Sequence, residues 1–159
     1  MQIPALARFV LQNGYAPLVD GGKAEWDHTH VSDVSGVLVK LVEKAVARVE
    51  GEEVFGKHAY YFCEQGTHVW GKVAAEVGEE AVRQGWLTEA VRKEGTMWGA
   101  EGDGQKVEGI GETWGLNSKG VSSRARKYLG WEPKGKGLEE EIPGAVEWEA
   151  KKLGMEKVV

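Results

Sequence analysis

Apolar residues recur along this chain mostly with a helical period. Between Ile3 and Asn13 they stand at Leu6, Phe9 and Val10, with Pro4 suited to a first helical turn and Gly14 to a stop, which predicts a short opening helix. The clearest pattern follows. Val34, Val37, Leu38, Leu41, Val42, Ala45 and Val46 keep the spacing of one helix face, while Lys40, Glu43, Lys44 and Arg48 fall on the other side. The spacing predicts an amphipathic helix that buries its apolar face, capped by Ser32 or Asp33.

Two short runs before it, Tyr15 to Val19 and Glu25 to Val31, flank the turn Asp20-Gly21-Gly22 and predict a hairpin. Further on, Ala59-Tyr60-Tyr61-Phe62-Cys63 is a continuous apolar run, the pattern of a strand buried on both faces. Helices are then expected with Thr67 as cap and Trp70, Val73, Ala74, Val77 and Ala81 inward, over Leu87 to Lys93, from about Ser118 to Leu129, and finally to about Leu153. Gly130, Trp131 and Pro133 mark the stop after Leu129, and Glu139, Glu140 and Glu141 sit near the positive end of the last helix. The sum is an α+β fold: a small sheet with a short hairpin and one buried strand, packed by about five helices.

Composition narrows the class. A chain of 159 residues predicts a single domain over 1–159, too short for a dinucleotide-binding domain plus a separate substrate domain. With a net charge of -5 there is no electrostatic footprint for nucleic acid or an anionic membrane, so the expected partner is a small molecule. No apolar run approaches the ~18 residues that span a bilayer, and Cys63 alone gives neither a disulfide nor a cysteine zinc site, so a soluble, cytoplasmic protein is expected. The chain has 23 glycines, and they are densest between Gly99 and Gly115, which predicts a long loop there.

Several constellations invite chemistry. His28 and His30 alternate on an extended run beside Asp33 and could share an ion, but no third strong ligand stands at useful spacing, so no metal is expected. Cys63 with His58 or His68 would need a reactive thiolate, whereas the end of an apolar run suits an inert thiol. Glu64 lies just past that run, where open sheets place ligands; a solvated acid is the bland alternative. His28, His30 and Glu64 are therefore the candidate acid and base residues. Trp26, Trp98 and Trp114 fall at strand ends and in glycine loops, where an aromatic lines a pocket or joins the core, and both readings stand. Arg124, Arg126 and Lys127 form a small basic patch on one helix, able to receive a phosphate or to face solvent.

Three segments occur in a telling order: Glu25 to Asp33 with its His30-Val-Ser-Asp turn, Tyr60-Tyr61-Phe62 before a helix, and Asn117-Ser118 followed by Tyr128-Leu-Gly-Trp-Glu-Pro133. Together, over nearly the whole chain, they resemble the C-terminal, substrate-binding part of extended short-chain dehydrogenase/reductases, the NAD-dependent epimerase/dehydratase group. Ser32 stands where that group has an acidic residue.

The resemblance implies a remnant of an α/β Rossmann-type enzyme, with Trp26, Trp98, Trp114, Asn117 and Arg124 as substrate-binding candidates and NAD(P) as the cofactor of the parent family. Two of that family's devices are missing from the sequence. No Gly-x-Gly-x-x-Gly occurs; Gly109-Ile-Gly-Glu-Thr-Trp114 comes nearest, with an indole where the third glycine belongs. No tyrosine has a lysine four residues on, since Val19, Glu64, Gln65 and Glu132 follow Tyr15, Tyr60, Tyr61 and Tyr128.

No cofactor is therefore expected on this chain alone, and no redox chemistry unaided. The alternatives are a cofactor-independent isomerase, cyclase or hydratase using the retained pocket, and a non-catalytic binding module. The unpaired edge expected at Ala59 to Cys63 would favour a homodimer or pairing with a homologous chain.

Overall fold

The computed structural model describes residues 2–95 and 114–158. Within them run helix α1 (Gln2–Asn13), strand β1 (Tyr15–Val19), a 3₁₀ turn (Asp20–Gly22), β2 (Glu25–His28), α2 (Val31–Val46), α3 (Glu52–Phe55), β3 (Gly66–Val69), α4 (Trp70–Arg83), β4 (Val91–Gly95), α5 (Ser123–Leu129) and α6 (Leu138–Lys152). The fold is α+β. None of these helices is long and apolar enough to cross a membrane.

The chain forms two compact units: residues 1–26, 68–118 and 139–159 make the first, and 27–67 with 119–138 the second. In the first, β1 pairs in parallel with β4, from Tyr15 opposite Val91 to Val19 opposite Gly95. Parallel pairing requires a crossover, and α4 lies in that crossover and packs on β1. The apolar stripe of α4 points inward as its spacing predicts: Trp70, Val73, Ala74, Val77 and Ala81 are buried with Leu6 and Val10 of α1 and Val146 and Ala150 of α6. Helix α4 starts where two backbones touch. A Cβ on Gly71 would stand 2.7 Å from the Gly22 carbonyl oxygen, so only glycine fits there.

The second unit is centred on Val37, Val54, Ala125, Leu129 and Trp131, with Leu41, Tyr61 and Cys63 packed against them. Gly130 closes α5 in the left-handed region at φ 59°, and its amide and that of Trp131 bond back to the last turn, which swings the indole inward as expected.

Four expectations need correction. The hairpin does not form: β1 takes β4 as its partner and β2 takes β3, because Asp20, Gly21 and Gly22 all adopt positive φ and lead the chain away. Ala59 to Cys63 is not a strand buried on both faces. It joins no ladder, with Tyr61 and Cys63 inward and Tyr60 and Phe62 exposed at 74% and 64%. The stretch read as helix from Leu87 to Lys93 ends instead in β4, an exposed edge whose charged residues hide its period. Thr67 belongs to β3, and Val69 rather than Thr67 precedes the first turn of α4. The expected glycine loop falls on 96–113, outside the described residues.

Candidate functional site

The second unit is held by a polar node on the first turn of α2. His30 sits at the cap with extended backbone, and its Nδ1 accepts from the Ser32 amide at 3.2 Å and lies 2.6 Å from the Ser32 hydroxyl. The imidazole thus does the capping expected of Ser32 or Asp33. Asp33 turns inward instead: it is 6% exposed, and its two carboxylate oxygens accept the amides of Lys134 and Gly135 at 2.8 and 2.9 Å. Its own carbonyl accepts from Trp131 Nε1 at 2.9 Å, and Gln65 Nε2 donates to the Gly135 carbonyl at 2.6 Å.

Three stretches far apart in sequence therefore interlock here, around residues 30–33, 65 and 131–135. Both Asp33 carboxylate oxygens are used, because a buried carboxylate is costly unless hydrogen-bonded. Thr29 Oγ1, next to His30, and the Gln65 amide oxygen are shielded and have no partner.

A second carboxylate, Glu64, is tied to the start of α5. Its Oε2 accepts from the Ser122 hydroxyl at 2.9 Å and the Ser122 amide at 3.2 Å, and Arg126 Nε donates to the Ser122 oxygen at 3.0 Å. Asp27 is the third. Burial would raise its pKa, but the Thr67 hydroxyl, the Gly120 amide and the Lys119 charge together hold it below the usual carboxylate value. His28 joins the same region through its carbonyl, which accepts the Gln65 amide at 2.9 Å.

Arg124 is already paired. It donates to the Glu53 carboxylate at 2.9 Å and the Glu53 carbonyl at 2.6 Å, and its guanidinium lies 4.7 Å from the Tyr128 ring centroid. That contact, first by hydrogen bonding, lowers the Glu53 pKa. Burial raises the Cys63 thiol, which opposes thiolate formation.

The first unit gathers the aromatic candidates. Trp70 stacks on Trp114 at 4.2 Å with rings 5° from parallel, and meets Trp26 and His68 edge-on at 5.5 and 4.7 Å. Trp26 Nε1 donates to the Leu116 carbonyl at 2.7 Å, and Asn117 Oδ1 accepts the Glu25 amide at 2.9 Å. Trp26, Trp114 and Asn117 thus come together, with Trp114 buried and Trp26 partly open. Trp98 lies outside the described residues. Trp70 and His68 complete the cluster; Trp70 reads simply as a core residue on its helix, because only folding brings residue 114 beside residue 70.

Trp114, which in the sequence stands at the third-glycine position of the nearest phosphate-loop match, packs its indole against Trp70. Tyr61 is no substitute for an activated tyrosine. Its hydroxyl donates to the Val54 carbonyl at 2.9 Å, and burial raises its pKa, the opposite of what proton transfer at neutral pH needs. Among the described residues no group of three or more His, Cys, Asp or Glu could hold a metal ion.

No family model matches the chain. It is 33% identical over 168 aligned residues to the oxidase ucsJ of an Acremonium species. That alignment takes in 96% of this chain and 45% of the relative, so the chain spans less than half the length of the oxidase it resembles.

Proposed function

We propose that the chain as a whole is the substrate-binding portion of an oxidoreductase-like protein of the extended short-chain dehydrogenase/reductase, NAD-dependent epimerase/dehydratase type, and that it transfers no hydride unaided. The observation that carries the reading is the node at Asp33. The His30-Val-Ser-Asp turn, the stretch after Tyr60-Tyr61-Phe62 and the Leu-Gly-Trp-x-Pro segment owe their likeness to that family to separate motifs, yet they meet in one hydrogen-bonded knot. Similarity to an oxidase supports the same general class.

The substrate this reading favours is small and neutral. Arg124 spends its guanidinium on Glu53, so an anion there would have to break an existing ion pair. Trp26, partly open to solvent, offers a planar apolar surface set edge-on to Trp70. Glu64 acts in this scheme by ordering the start of α5 through Ser122, and His30 by holding the first turn of α2.

Titration with NADH and NADPH, followed by nucleotide fluorescence, tests the reading. No saturable binding is expected up to millimolar nucleotide. A micromolar dissociation constant, or turnover of either nucleotide by the purified chain, would overturn it.

A further inference from the structure

Past its outward-facing apolar residues Val31, Val34, Leu38, Val39, Val42 and Val46, helix α2 runs into a stretch that barely packs on the rest of the second unit. From 47 to 58 the one buried side chain is Val54, at 8% exposure, and only Gly56 is partly shielded. The backbone does not tie this stretch down either. The amides of Arg48, Val49, Val54, Phe55, Gly56 and Ala59 all donate to carbonyls no more than five positions back. A helix as short as α3 has no stability of its own.

What holds the stretch is concentrated at one point. Arg124 of α5 donates to the Glu53 carboxylate at 2.9 Å and to the Glu53 carbonyl at 2.6 Å, and the Tyr61 hydroxyl donates to the Val54 carbonyl at 2.9 Å. These three ties and the buried Val54 side chain fall on two consecutive residues. Upstream of them the chain turns sharply, with Arg48 at φ 53° and Gly51 at φ 137°, the second an angle that glycine alone adopts with ease.

We propose that residues 47–58 form a strap that lifts from the second unit as one piece while the rest of the unit stays folded, with Val54 as its pin and the Arg124–Glu53 pair as its latch. Ties gathered on two adjacent residues break together. Little else need break, because the Asp33 knot and the core residues Val37, Ala125, Leu129 and Trp131 all lie outside the strap. Lifting it uncovers the Arg124 guanidinium and the Tyr61 hydroxyl and vacates the place of Val54 in that core, so the open form presents a cation beside an apolar hollow and the closed form hides both. The latch is half in water, with the Glu53 side chain 54% exposed, so salt weakens it. The inference is independent of the proposed substrate and cofactor reading.

Amide hydrogen exchange of the full chain, resolved by residue with NMR, tests it. The Val54, Phe55 and Gly56 amides should share one protection factor, at least about tenfold below those of Lys134 and Gly135 in the Asp33 knot. Glu53→Gln and Tyr61→Phe should each speed exchange at all three amides by one common factor, about two- to fivefold. Sodium chloride at about 1 M should do the same to the native chain and leave Glu53→Gln nearly unchanged. Equal protection in strap and knot would mean that the stretch opens only with the whole unit, and three unequal factors, or unequal responses to either variant, would mean fraying residue by residue. Either result, or salt that opens Glu53→Gln as much as the native chain, would overturn the inference.

Discussion

Asp33 shows how much of a unit can rest on one side chain. Replacing it with alanine strands two backbone amides and removes the anchor of the 131–135 loop, a loss of about 2–4 kcal/mol in urea denaturation followed by circular dichroism. Gly135 is held to the same node by space. A Cβ there would stand 2.7 Å from His30 Cγ and 2.8 Å from Asp33 Oδ2, so Gly135→Ala should lower the urea midpoint to a similar degree. Asp27 adds a pH dependence. Its folded pKa lies below the ordinary value near 3.8, so its contribution is present above that pH and is lost as the pH falls through the lower, folded value. Thermal melts between pH 5 and about 2.5 should therefore fall more steeply for the native chain than for Asp27→Asn. Of these residues, His30 and Asp33 stood in a recognisable turn. Gln65, Ser122 and Gly135 did not, because their partners lie 58 to 102 positions away and no local spacing encodes them.

Periodicity, at the level of elements, told which stretches coil but not which way they face. Helix α4 obeyed its stripe, since its apolar residues meet α1 and β1. Helix α2 has the same spacing, and its main apolar arc points out. Only a partner surface distinguishes the two, and sequence alone does not supply it. Strand β4 failed for a related reason: Val91 to Gly95 is four exposed residues and a glycine, and its strand character comes from β1, some 76 positions earlier. Helices α1 and α6 are joined by Arg8 and Glu149, whose Nε to Oε2 distance is 2.8 Å, with the glutamate side chain 3% exposed and the arginine 43%. The arginine hydrogen bond is the main cause of the lowered Glu149 pKa. Arg8→Ala should destabilise the fold at pH 7, by leaving the shielded Glu149 carboxylate without its cation, and do so less at about pH 3, where that carboxyl is closer to neutral. Chemical denaturation at the two pH values would show the difference.

For the molecule as a whole, the net charge of -5 and the uncharged arc of α2 make separable demands. Any association driven by that apolar arc should persist, or strengthen, as sodium chloride rises from about 0.05 to about 1 M, whereas contacts between charged surfaces would fade over that range. Light scattering across the series distinguishes them. The α+β class was readable because helices and short strands announce themselves locally. The partition into two units was not, since each is assembled from stretches that the chain leaves and later revisits.

That weaving sets an order of completion during synthesis. The last stretch of the unit holding Asp33 ends at residue 138, while the unit holding the tryptophan cluster still awaits 139–159. A ribosome moving from one terminus to the other therefore polymerises every part of the former before it finishes the latter. A chain truncated after residue 138 has every residue of the Asp33 knot but lacks α6, and with it the buried side chains of Ile142, Val146 and Ala150.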